Sequence, residues 1–261
     1  MKKYLAIAKA EWLNALQSRG EIFIWLLLET IPIFVMGSLW SSNKSSIPNF
    51  SSGQLVTYYI AILITSRLTA YYFDEDLQKE IREGTLSRFL VKPIKFPLAN
   101  IPQNLGGKAF NTLFLLVPVL AIIISIFKNQ LIVPPLHLLS IFILSLVPAF
   151  FIQYSISVLV SSVAFYWEQS NSIVHVKWML EAMVGGYMLP LSLYPSWARL
   201  ITDFLPFKYV YFVPAAIFSQ RLNSSEIILN IFFSILWAVA LFFIGDIVWK
   251  KGLKEYSSVG S

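Results

Sequence analysis

The sequence predicts an all-α integral membrane protein with six transmembrane helices, an N-terminal interfacial amphipathic helix and a folded outer loop before the last span. Three observations predict it. The chain is 57% hydrophobic and only 13% charged, where soluble domains carry about a quarter charged residues. Several apolar runs approach about 20 residues, the length that crosses a hydrocarbon core of roughly 30 Å. The remaining charge is concentrated in one internal stretch, DEDLQKEIREGTLSRFLVKPIKFP, at 74–97.

Residues 1–20 are expected to form the interfacial helix. Leu5, Ala8, Trp12, Ala15 and Leu16 recur at helical spacing, with Lys3, Lys9, Glu11, Asn14, Gln17 and Arg19 mostly elsewhere around the helix. Such a helix lies on a membrane surface with Trp12 at headgroup depth. The first apolar run starts near Ile22, is too long for a signal-peptide core and has no A-x-A-like site after it, so no cleaved signal is expected.

The spans fall at 22–40, 55–73, 109–127, 138–165, 173–193 and 227–249, within a transmembrane domain at 21–250 that is followed by a tail at 251–261. Fourteen of the 20 Lys and Arg lie in the N-terminal segment, the 74–108 loop, the 165–177 turn and the tail; five lie in the opposite loops. Lys and Arg accumulate on the cytoplasmic side, so both termini and the charged loop are expected there. The absence of cysteine excludes disulfides, thiolate metal sites and a Cys nucleophile. The net charge of +6 suits anchoring to anionic lipid and is not taken as a sign of nucleic-acid binding.

The outer connection, 194–226, reads as two short helices folded back into the outer leaflet. Ser196 is expected to cap the first, whose Trp197, Leu200, Ile201, Phe204 and Leu205 follow an amphipathic pattern. The second, PFKYVYFVPAAIF, is too short to cross and is expected to break at Pro214.

In the charged loop, the second span is expected to run on as a helix past Phe73, because 74–83 contains no breaker. Gly84 sits where a left-handed helix terminus is favoured. Thr85 then caps a short helix that Lys92-Pro93 ends. Leu86, Phe89 and Leu90 share one face of that stub, beside Ser87 and Arg88, an apolar ridge suited to a groove on a soluble partner.

The segment EIREGTLSRFLVKP resembles the E-x-G-T-L-x-x-L-x-x-P pattern that follows the second span of type-2 ABC exporter permeases. The order of elements along the whole chain is similar to theirs, and the LYPSW…LPF wording at 193–207 resembles the branch described as ABC-2 family transporter protein. The resemblance implies a dimeric membrane core, completed by a second copy or a related permease, in a prokaryotic cell membrane. It implies cytoplasmic ABC ATPase subunits that grip a coupling helix at Glu83, Gly84, Thr85, Leu86, Arg88, Phe89 and Leu90, with a smaller contact at Trp167 and Glu168. No G-x-x-x-x-G-K-[ST] occurs in the chain. ATP and Mg would therefore belong to the partner ATPase, with no cofactor bound by this chain and no enzymatic activity of its own.

Three intramembrane charges stand out: Glu29, Arg67 and Glu181. Glu29 and Arg67 lie at similar depths of roughly 10–12 Å at 1.5 Å per residue, which would let them pair. Glu181 has Lys177 one turn away on the same face. Such charges either line a translocation path or pair off to tie helices together. The aromatic-rich spans and the interfacial helices suit an amphipathic or lipid-like cargo. Two other classes compete with transport driven by ATP. Asp74, Glu75, Asp76, Glu80 and Glu83 form an acidic cluster of the kind a membrane-embedded metal hydrolase needs, but His137 and His175 supply no second ligand at metal spacing. An ATP-independent channel or scaffold leaves the capped loop helix without a purpose.

Overall fold

The computed structural model describes residues 2–17, 51–71, 73–91, 97–98, 100–167 and 171–256, with six single positions between 24 and 38. The 22–40 span, Glu29 and its expected pairing with Arg67, and Glu168 lie outside the described residues.

Every described element is helical. The order is α1 (Lys2–Gln17), α2 (Ser52–Thr69), α3 (Asp74–Arg82), α4 (Ser87–Leu90), α5 (Asn100–Asn111), a π-helical turn (Thr112–Leu116), α6 (Val117–Phe127), α7 (Leu136–Ser162), α8 (Asn171–Val184), α9 (Ser196–Phe204), α10 (Phe212–Phe218) and α11 (Ser224–Glu255), with short 3₁₀ turns between some of them. Among the described residues, three continuous helical runs are long and apolar enough to cross a membrane: Asn100–Phe127, Leu136–Phe165 and Ser224–Glu255. The pair Ser196–Phe204 and Pro206–Phe218, bent by 81°, makes a fourth if taken as one broken span. The expected second and fifth spans are shorter, at 18 and 14 residues, and carry Arg67 and the Lys177/Glu181 pair respectively.

The longest helices pack lengthwise. Gly245 of α11 lies against Ser155 and Val158 of α7, and Gly252 lies so close to the Phe165 ring that a Cβ would overlap it. On its other side α11 exposes Ile228, Phe232, Leu236, Val239, Phe243 and Ile247, an apolar stripe repeated every three or four residues. A soluble protein seldom leaves so long an apolar face bare, whereas a bilayer accepts it because the backbone is satisfied within the helix.

α10 is the buried wedge of the bundle. Its Val213, Ala215, Ala216 and Ile217 are nearly inaccessible, and Val213, Ala215 and Ile217 share a core cluster with Tyr58 and Ile62 of α2 and Ile152 of α7. Pro214 does not break it: it occupies the first turn, where no intrahelical N–H bond is lost. The break falls earlier, at Leu205-Pro206. Ser196 likewise lies inside α9, whose cap is Pro195 without a side-chain bond.

α1 packs on α5. Gly106 meets the Ala8 backbone directly, and Trp12 stands edge-on to Phe110 at 5.4 Å between centroids. Trp12 is therefore half-buried between helices.

Candidate functional site

The charged loop begins with a break that the sequence does not announce. α2 ends at Thr69; Ala70 is extended (ψ 143°), and Phe73 restarts a helix at Asp74. The expected continuous stalk is thus two helices. The break turns α3 so that Leu77, Gln78 and Ile81 are buried while Glu75, Asp76 and Lys79 face out. Gln78 Nε2 donates to the Val160 carbonyl of α7 at 3.0 Å, fixing α3 across the end of that helix. Asp74, Glu75 and Asp76 occupy the first turn, where the helix dipole favours negative charge.

Gly84 ends α3 with φ +71°, the left-handed conformation that glycine adopts most readily. The Leu86 N–H reaches back to the Glu80 carbonyl at 3.0 Å and closes the turn. Thr85 does not cap α4, whose first residue follows Leu86 without a side-chain bond. Leu86 itself is fully buried with Leu77, Ile81, Tyr154 and Trp249, so the expected common ridge of Leu86, Phe89 and Leu90 is divided. Leu86 anchors the turn. Phe89 is half-buried, while Arg88, Leu90 and Val91 face outward, Val91 at 84% exposure. A second brace comes from the far end of α11, where the Tyr256 hydroxyl accepts the Ser87 N–H at 3.3 Å. Trp167, in the turn after α7, is also exposed. Glu83 stands at the surface facing Lys79.

Beneath the loop is a buried ion cluster. Lys177 Nζ lies 2.5 Å from Asp74 Oδ2, 2.7 Å from Ser157 Oγ, 3.5 Å from the Tyr71 carbonyl and 3.7 Å from Glu181 Oε1. Gln153 Nε2 donates to the other Glu181 oxygen at 3.1 Å and to the Tyr211 hydroxyl at 3.0 Å, while that hydroxyl donates to Glu181 at 3.3 Å. One ammonium therefore serves two carboxylates, and polar contacts run from the loop helix through α8 to the N-terminal end of α10. The Lys177/Glu181 relation is the one expected from spacing. Asp74, Ser157, Gln153 and Tyr211 are partners the sequence reading missed; the signal available was a lone Lys and Glu among apolar residues, each in need of partners.

Asp74 has turned inward to Lys177 while Glu75 and Asp76 point away, which divides the acidic cluster considered for metal hydrolysis. Among the described residues no group of three or more His, Cys, Asp or Glu is placed to hold a metal ion. Arg67 is half-buried in the last turn of α2.

A membrane bundle of long apolar helices with one braced charged loop is the setting in which the family comparison is decisive. The profile of the ABC-2 family transporter proteins matches residues 24–260, almost the whole chain. This chain belongs to the ABC-2 family. Membership makes it a multi-pass membrane protein and the permease-type component of an ABC transporter, a class that works with ABC ATPases in general. In this ABC-2 protein, Glu83 to Val91 is the segment that combines charge, exposure and rigid support. No curated protein matches the sequence.

Proposed function

We propose that the chain is the permease subunit of an exporter driven by a separate cytoplasmic ATPase, which binds the ATP and Mg. The observation that carries this reading is the construction of α4. It is held from beneath by Leu86 and from the side by Tyr256, with Arg88, Leu90 and Val91 turned outward. A braced helix stub bearing two exposed apolar side chains beside a cation suits a groove on a soluble protein. The coupling contact is therefore made by Glu83, Arg88, Leu90 and Val91, with Phe89 at its edge and Leu86 as its support; Trp167 and Glu168 supply a smaller contact.

In this reading α2 and α8 are the second and fifth of six spans, with 22–40 as the first. Enclosure by neighbouring helices lets them carry Arg67, Lys177 and Glu181. Both termini and the charged loop face the cytoplasm, and α9 with α10 form a re-entrant pair on the outer side. A second permease copy completes the core. ATP binding draws the two ATPases together and pushes on α4; the Asp74–Lys177–Glu181–Tyr211 contacts carry the displacement from α3 toward α10. The cargo is amphipathic.

The test is affinity purification of the full chain from its native membrane in mild detergent, beside a Leu90→Glu/Val91→Glu variant. Both positions are exposed, so the variant leaves the core intact. A soluble ATPase that accompanies the wild type and is lost from the variant is the expected result. A well-folded wild type that brings no ATPase overturns the reading.

A further inference from the structure

The cluster of Asp74, Lys177 and Glu181 is one positive charge short. All three side chains are buried, and two carboxylates against one ammonium leave one net negative charge. An uncompensated charge inside a bundle is costly, and ionisable groups at membrane depth commonly serve as proton carriers. We infer that this cluster binds one proton, on Glu181 Oε1, and that the proton decides how Lys177 is shared between α3 and α8. The inference deepens the exporter reading, in which the same contacts carry motion from α3 toward α10.

Two orphaned oxygens fix the place. The Lys177 ammonium lies 2.5 Å from Asp74 Oδ2 and 2.7 Å from Ser157 Oγ, but 3.7 Å from Glu181 Oε1, beyond hydrogen-bond length. Among the described residues Glu181 Oε1 has no hydrogen-bond partner, and neither has Gln153 Oε1; both atoms are inaccessible. The same two side chains are already joined through their other atoms, where Gln153 Nε2 donates to Glu181 Oε2 at 3.1 Å. Two acceptors on bonded neighbours thus lack one hydrogen between them. A proton delivered by hydronium to Glu181 Oε1, with water left behind, makes the O–H that donates to Gln153 Oε1. The result is an acid–amide pair with a hydrogen bond in each direction.

The charges that act on Glu181 are Lys177 on its own helix and Asp74 from α3. From the turn before α10 comes the Tyr211 hydroxyl, which donates to Oε2 at 3.3 Å. Tyr187 stands edge-on to Tyr211 at 5.4 Å, and Arg67 of α2 lies toward Tyr187. Tyr71 gives only its carbonyl to Lys177, and His175 sits on the exposed face of α8. A protonated Glu181 ceases to draw on Lys177, which then ties α3 to α8 through Asp74 alone. Loss of the proton restores a carboxylate that competes for the same ammonium and loosens α3.

The experiment is pH-difference infrared spectroscopy of the purified full chain in detergent, in a Glu80→Gln background so that the loop carboxyl does not contribute. Carbon-13 at the glutamate side-chain carboxyls identifies the residue type without a further substitution. The expected result is a glutamic-acid band that outlasts those of the solvated glutamates as pH is raised, and that is missing from Glu181→Gln. Asp74→Asn removes the competing carboxylate and leaves Lys177 and Glu181 balanced, so the band should then need about tenfold more acid to form. Absence of such a band overturns the site, as does a band that ignores the glutamate label or titrates unchanged in Asp74→Asn. At one mildly alkaline pH, amide hydrogen exchange in α3 should be several-fold slower in Glu181→Gln, which is uncharged as the protonated acid is, than in its parent. Equal exchange overturns the link to α3. Neither measurement needs an ATPase, so failure here and failure of ATPase capture are read separately.

Discussion

Asp74, the first residue of the loop helix α3, and Lys177, in the middle of α8, form a buried ion pair with 2.5 Å between Oδ2 and Nζ. Lys177 is also the cation for Glu181, so its removal would leave two carboxylates buried without a counter-charge. Replacing Lys177 by Met should destabilise the protein by about 3–5 kcal/mol, the range for breaking a buried pair from one side. Adding Asp74→Asn and Glu181→Gln to that variant should restore much of the loss, since neutral groups can share the hydrogen bonds of Ser157, Gln153 and Tyr211. Chemical unfolding in detergent reads both. A single Lys177→Met variant as stable as the wild type would show that the pair contributes nothing.

Leu86 and Leu90 look equivalent in the sequence and differ in the fold. Leu86 is fully buried among Leu77, Ile81 and Trp249, while Leu90 is 40% exposed. Leu86→Ala should cost about 2–5 kcal/mol as a core cavity, and Leu90→Ala should stay within about 0.5 kcal/mol of wild type. If coupling uses the exposed side, the Leu90 substitution should weaken ATPase capture without shifting the unfolding midpoint. The opposite pattern would place Leu90 in the core and Leu86 at the surface.

This pair also explains what the sequence could and could not reveal. Long apolar helices such as Leu136–Ser162 and Ser224–Glu255 are legible because length and composition alone require them. The Gly84 turn and the amphipathic α9 are legible because each is a local property. The direction of Leu86 is not local: it depends on the angle at which the Gly84 turn delivers the chain onto α7 and α11. The break at Ala70–Phe73 contains neither Gly nor Pro, and its result, Asp74 facing Lys177, joins residues 103 positions apart. Pro214 misled for a related reason, since proline breaks a helix interior but fits its first turn.

Glu80 gives the charged loop a pH dependence. Partial burial, with repulsion from Asp76, pushes its carboxyl up to about 7, against the opposing pull of Arg88. A carboxyl raised in the folded state binds a proton there at pH values where the unfolded chain has already lost it. Stability should therefore fall as pH rises from about 4.5 to 7 and level off above that. Glu80→Gln removes the titrating group, so the difference in melting temperature between variant and wild type should grow in the variant's favour across that window. Parallel curves from pH 4.5 to 8 would show that Glu80 titrates normally.

Gly106 sets the distance between α1 and α5. A Cβ there would lie 2.2 Å from the Ala8 carbonyl oxygen, a backbone atom that cannot move aside without shifting the helix. At Gly107 the nearest contact is 3.7 Å from a flexible Glu11 side chain. Gly106→Ala should displace α1 and speed tryptic cleavage at Lys9 several-fold; Gly107→Ala should leave it unchanged. Equal cleavage in the two variants would mean that α1 is not held by this contact.

Tyr58 and Gly186 tie α2 to the end of α8. The Tyr58 hydroxyl donates to the Gly186 carbonyl at 2.6 Å in a buried setting, and the Phe212 N–H donates to the neighbouring Gly185 carbonyl at 3.0 Å. Two carbonyls freed where α8 unwinds are thus satisfied by α2 and α10, which a membrane interior demands because no water is there to replace them. Tyr58→Phe keeps the ring and leaves the Gly186 carbonyl without that donor, so a loss of about 1–3 kcal/mol is expected. Gly186→Ala should be worse, because φ is +84° and the new Cβ would stand 2.9 Å from the Phe212 Cβ. The two effects share one contact, so the double variant should lose less than the sum of the single losses. Strict additivity in unfolding measurements would mean that the hydroxyl and the glycine act independently, and that the end of α8 is held by Phe212 without Tyr58.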